Sequence, residues 1–167
     1  MAAGAGAAAP GKVAKFEQNL NRAVDEVFST MMGVSCAPVE HGGVAGQETL
    51  SALIGLAGAL SGAMVLHCGR DAALEITERL TGVAPAGVDA MVRDAVGEVC
   101  NMVAGAWKGY DAELASGCLL STPTVVSGTS YEVFSQRAPI RMERSYGFGN
   151  AGLMVTIYCE LPSMNAF

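Results

Sequence analysis

The sequence predicts an α+β domain, with helices early and in the middle and an antiparallel sheet completed late. Three observations carry this prediction. Apolar residues recur at helical spacing from Phe16 to Met31 and again over about residues 71–110. Between them, "LSALIGLAGALSGAMVLHC" (Leu50 to Cys68) is an uncharged run of nineteen residues interrupted by "ALSG". Beyond "ASG" (115–117) the pattern changes to strand-like runs bounded by Gly, Pro and Ser.

The leader "MAAGAGAAAPGK" lacks the long apolar core of a signal peptide and reads as a flexible Ala/Gly-rich arm over residues 1–12. A single domain is expected over 13–167. Its first helix places Phe16, Leu20, Val24, Val27 and Met31 on one face and stops at Gly33. "VSCAPVEHGGVAG" then reads as a connection. The uncharged run approaches the length of a membrane span. Its glycines and the central "ALSG" instead favour a buried β-hairpin over about 48–68 and no membrane insertion. "RDAALEITERLTG" follows as a second helix with Asp71 as N-cap and Gly82 as stop. "VAPAG" breaks it, and the third and longest helix runs from about Val88 to Tyr110. "CLLSTPTVVSG", "SYEVFSQ", "APIRMERSY" and "AGLMVTIYCEL" are the late β-type runs.

Composition narrows the function. A formal charge of −6 with scattered Lys and Arg argues against a nucleic-acid partner. Five cysteines, with no CxxC pair, fit a reducing cytoplasm and behave as small hydrophobes. His41 and His67 lack the converging ligands that a zinc site needs, although His67 adjoins Cys68, so no metal site is assigned. "GFGNAG" (147–152) matches the dinucleotide-binding string GxGxxG, but it precedes a strand and the chain ends before a ribose-binding acid; it reads as a hairpin loop. No GxxxxGK[ST], GxSxG or HExxH occurs.

The third helix is the informative one. On a wheel of about 100° per residue, Met91, Val92, Ala95, Val96, Val99, Cys100, Met102, Val103, Ala106 and Trp107 form a continuous core face. Asp94, Glu98, Asn101, Gly105 and Lys108 form the opposite stripe, each three or four residues from the next. Gly97, Ala104 and Ala90 edge that stripe and give it low relief. An interior Gly costs a helix roughly 0.5 to 1 kcal/mol relative to Ala. A face needed only for solubility would more readily use Glu, Lys, Gln or Arg. The residues by themselves leave both a solvated face and a binding or catalytic face open.

"DAVGEVCNMVAG", Asp94 to Gly105, resembles the signature helix of the CheX/CheC chemotaxis phosphatases: Asp or Ser, three residues, Glu, two residues, Asn, and a Pro some two dozen residues on. Asp94, Glu98 and Asn101 match in identity and spacing, and Pro123 corresponds to the downstream Pro, one residue nearer. "VFSTMMG", "GAMVL", "ALEITERLTG" and "TPTVVSG" extend the similarity over nearly everything after Val13. One E-x-x-N motif is present, which points to the CheX branch; CheC relatives carry two.

The resemblance implies long helices on an extended antiparallel sheet, and a homodimer made by exchanging strands. It implies a phosphatase for the phosphoaspartate of a CheY-type response regulator. Asn101 would orient the attacking water and Glu98 would pair with the regulator's lysine. Asp94, Gly97 and Gly105 would shape the docking face. No cofactor of its own is implied; a magnesium ion is expected in the partner's site. Two alternatives remain: a non-catalytic module that binds a receiver domain, and a structural domain of the motility apparatus that uses the sheet edge.

Overall fold

The computed structural model describes residues 10–40, 44, 46–133 and 138–161; His41, the first nine residues of the expected arm and the end of "SYEVFSQ" lie outside them. The elements run α1 (Pro10–Met32), β1 (Ala37–Val39), β2 (Thr49–Gly58), β3 (Ser61–Gly69), α2 (Arg70–Thr81), α3 (Ala90–Gly109), α4 (Ala112–Gly117), β4 (Cys118–Leu120), β5 (Thr124–Gly128), β6 (Ile140–Phe148) and β7 (Ala151–Glu160). The α+β class and the antiparallel sheet are as expected.

The sheet order is β1-β6-β7-β3-β2-β4, with β5 also paired to β2, and every pairing is antiparallel. Strand side chains alternate between faces. Leu50, Ala52, Ile54 and Leu56 of β2 and Met64, Leu66 and Cys68 of β3 are buried beneath the helices, as are Leu153, Val155, Ile157 and Cys159 of β7. The uncharged run is therefore the β2–β3 hairpin, turning at Ala59 and Leu60. Among the described residues no helix is long and apolar enough to cross a membrane. "GFGNAG" is the β6–β7 hairpin: Phe148 pairs with Ala151, and Gly149 takes the left-handed conformation (φ 53°) that the tight turn requires.

Several local expectations are corrected. Met31 is 49% exposed, whereas Phe28 and Met32 fill the core, so the apolar stripe shifts in the last turns of α1. α1 begins at Pro10, inside the stretch expected to be arm; Pro is well suited to the first helical turn. Asp71 lies in the first turn of α2 rather than at its N-cap, which is Gly69. Gly82 does stop that helix: it is left-handed (φ 73°), and its N–H donates to the Glu78 carbonyl. The connection after α1 contains β1, paired to β6. Within "SYEVFSQ", residues 130–133 form no strand; the Tyr131 hydroxyl instead donates to Ser51 Oγ at 3.1 Å.

All five cysteines are buried free thiols. Burial pushes Cys68 and Cys100 up to about 12, and burial followed by the Asp25 carboxylate does the same to Cys36. They stay protonated at neutral pH and are poor nucleophiles. His67 and Cys68, adjacent in the chain, point to opposite faces of the sheet and cannot converge on one ion. His67 Nδ1 lies 2.6 Å from Ser51 Oγ on the side away from the helices. Burial lowers its pKa and so favours the neutral ring, against the opposing effect of the Leu50 backbone.

Candidate functional site on the long helix

α3 begins where Asp89 supplies an N-cap, its carboxylate accepting the Val92 N–H at 3.0 Å. This cap precedes the first apolar residues, a signal the sequence carries at the boundary. Val92, Ala95, Val96, Val99, Cys100, Val103 and Trp107 are buried against α1 and the sheet. Trp107 is fully buried, its indole N–H donating to the Phe16 carbonyl at 3.1 Å and its ring standing edge-on to Phe16 at 5.3 Å. These contacts fix the rotation of α3 about its axis, and hence which residues face outward.

Asp94 and Glu98 are exposed and Asn101 is half-buried on that outer face. Residues three or four apart on a helix have Cβ atoms about 5–6 Å from each other. The two carboxylates and the carboxamide therefore form one row. The side-chain hydrogen bonds of α3 come from Cys100, Trp107 and Lys108. Asp94, Glu98 and Asn101 take part in none among the described residues, which leaves their polar groups for another molecule.

The glycines divide in role. Around Gly105 an added methyl group would meet nothing within 4 Å, so the helix backbone is open there. Gly97 is buried, and a methyl group on it would stand 3.2 Å from Val125 Cγ2 and 3.5 Å from Pro123 Cβ. Its bare backbone admits the protein's own chain. β4 and β5 both pair with β2, and between those pairings two residues of β2 (Ile54, Gly55) face three of the other chain (Ser121, Thr122, Pro123). That is a β-bulge, held by the Ser121 N–H to the Gly55 carbonyl (2.9 Å) and by the Gly55 N–H to Ser121 Oγ (2.8 Å). Pro123 is tolerated because β4 and β5 form an edge of the sheet. The bulge carries Pro123 onto Gly97.

The result is a shallow cleft of about 500 Å³ between α3 and β5, lined by Arg93, Asp94, Gly97, Glu98, Pro123 and Val125. Asn101 stands one turn further along the stripe. Lys108 is not available to that face: its ammonium donates to the carbonyls of Ala115 (3.3 Å) and Cys118 (2.8 Å) around the end of α4. A second cavity of about 430 Å³ lies on the opposite face of the sheet, lined in part by Ser51, His67 and Tyr131. Among the described residues no three His, Cys, Asp or Glu side chains converge as metal ligands.

α4 is absent from the sequence expectations and braces the far end of α3. Asp111 caps it, accepting from Glu113 N–H (3.0 Å) and Leu114 N–H (3.2 Å), and pairs with Lys15 of α1 at 2.9 Å. Burial pushes its pKa up, but the Lys15 ammonium and the two N–H donors outweigh it and hold the carboxyl below its ordinary value. A depressed carboxyl contributes stability above its unfolded pKa and loses it as pH falls through the folded value. Asp111→Ala is therefore expected to cost about 1–2 kcal/mol at neutral pH. The difference from wild type should shrink on acidification, as read by urea denaturation at neutral and acid pH.

Comparison with known structures gives the class. A chemotaxis protein CheX from Vibrio vulnificus superposes with a TM-score of 0.74 at 27% identity, covering 87% of this chain and 96% of that one. A CheX from Desulfovibrio desulfuricans gives 0.74 at 21% identity, over 87% and 99%. The CheX-CheY-BeF3-Mg complex from Borrelia burgdorferi gives 0.72 at 17%, over 87% and 97%. The fold is thus that of the CheX and CheC-like proteins. The sequence profile described as "Chemotaxis phosphatase CheX" matches residues 50–142, more than half of the chain. The chain belongs to the CheX family. No curated protein sequence matches it.

Proposed function

We propose that this protein hydrolyses the phosphoaspartate of a CheY-type response regulator, and that it does so with the outer face of α3. The observation that carries the reading is the row Asp94, Glu98 and Asn101, matched to the family's motif in identity and spacing, exposed or half-buried and unused by the fold. Membership of the CheX family and the CheX-CheY complex of the Borrelia relative support the choice of partner.

The chemistry asks for positioning rather than covalent help from the phosphatase. A water attacks the phosphorus in line with the acyl oxygen; the P–O bond to the aspartyl group breaks, releasing phosphate and restoring the carboxylate. Asn101 offers a neutral donor and acceptor on one short side chain, suited to hold that water beside the phosphoryl group. Glu98 pairs with the regulator's lysine and sets the docking register. Asp94 flanks the contact, and the open backbone at Gly105 lets the partner approach. A magnesium ion resides in the partner's site, and the protein works as a homodimer.

A receiver domain phosphorylated by a small phosphodonor provides the test. Its phosphoryl group is expected to decay faster when this protein is added. Binding without acceleration would favour the non-catalytic receiver-binding module.

A further inference from the structure

Arg93 lines the cleft beside Asp94 and Glu98. All sixteen acidic residues of the chain are among the described residues, and none lies within ion-pair distance of its guanidinium. The other described cations are committed within the molecule. The three lysines and four of the arginines are held by carboxylates or backbone carbonyls, and Arg22 stacks 4.1 Å over the Tyr110 ring.

The helix explains the exception. One turn after Arg93 stands Gly97, which has no side chain to offer. One turn before it stands Asp89, whose carboxylate is engaged by the Val92 N–H. In a chain of net charge −6, the single unpaired cation among the described residues thus sits next to the proposed catalytic row.

We propose that Arg93 is a specificity-determining residue of this face. It receives a carboxylate of the phosphorylated receiver domain while Glu98 receives a cation, and a small apolar side chain of the same partner seats against Pro123 and Val125 at the cleft wall. Two opposite charges side by side admit only a partner that presents the complementary pair in the same order. Asp94 and Glu98 disfavour a polyanion at this cleft, and Arg93 disfavours a purely basic segment. The inference rests on the receiver-docking reading and adds to it the residue that discriminates among receivers.

The test is a calorimetric titration of a receiver loaded with beryllofluoride and magnesium against wild type, Arg93→Lys and Arg93→Glu at low and moderate salt. Arg93→Glu is expected to bind roughly tenfold more weakly with a flatter salt dependence, and Arg93→Lys to stay within about threefold of wild type. In turnover the loss should fall on KM, with kcat at saturating receiver retained. If Arg93→Glu melts below wild type, Arg93→Gln replaces it and is held to the same loss of affinity. Equal affinity of wild type and the charge-reversed or neutral variant overturns the role of Arg93 and leaves the docking reading standing. Failure of wild type to bind the loaded receiver overturns both.

Discussion

Asn101→Ala is expected to remain folded and to lose roughly 10²- to 10³-fold in phosphoreceiver hydrolysis, the scale for removing one preorganised hydrogen-bonding group from a transition state. The fold has no use for this carboxamide: the side-chain bonds of α3 are made by Cys100, Trp107 and Lys108, and Asn101 is half-buried on the opposite stripe. Alanine is also the better helix former, so stability should hold or rise by a few tenths of a kcal/mol. Single-turnover decay of radiolabelled phosphoreceiver measures the rate, and a thermal melt shows that the helix is intact. Asn101→Asp should be as slow, because a carboxylate lacks the N–H donors and repels the phosphoryl oxygens. Glu98→Ala should differ in kind, raising KM as well as lowering the rate. A wild-type rate in Asn101→Ala would remove the carboxamide from the mechanism.

Trp107→Ala should be the most damaging single change to the fold among these, costing about 3–5 kcal/mol. The indole is fully buried, and its removal deletes both the packing on Phe16 and the hydrogen bond to the Phe16 carbonyl. Trp107→Phe keeps most of the ring volume and should cost less, chiefly the hydrogen bond and the imperfect fit. Because Trp107 is the chain's one tryptophan, unfolding of the variants is followed by far-UV circular dichroism in urea. A loss below about 1 kcal/mol for the alanine variant would mean that the cavity collapses freely and that α3 is not anchored as described.

The parts of this molecule that its sequence makes legible are those governed by short-range periodicity. The wheel over residues 88–110 separates Val92, Val96, Val99, Val103 and Trp107 from Asp94, Glu98 and Asn101, and the structure buries the first group and leaves the second partly or wholly open. The β2–β3 hairpin and the "GFGNAG" turn are legible for the same reason, since each is closed by neighbouring residues.

What escapes is non-local. Gly97 reads as relief for a partner, yet Pro123 and Val125 pack on it, because a bulge opposite Ile54 and Gly55 swings that chain over the helix. Nothing within ten residues of Gly97 announces this. Lys108 reads as part of the outer stripe and is instead drawn to carbonyls near the end of α4, a helix too short to give a periodic signal. Met31 follows the helical repeat of α1 yet falls outside the core, which Phe28, packed on Phe148, and Met32 fill instead. The family resemblance reaches Asp94, Glu98 and Asn101 directly and extends to Pro123 of the cleft wall, but not to the packing of Pro123 and Val125 on Gly97.

The most direct measurement is turnover of excess phosphorylated receiver by a substoichiometric amount of this protein, with phosphate release recorded continuously. Wild type is expected to complete many turnovers per protein molecule, and Asn101→Ala to release phosphate at a rate near that of spontaneous hydrolysis. Phosphate release at the spontaneous rate with wild type, on a receiver that it demonstrably binds, would contradict catalysis by the α3 face.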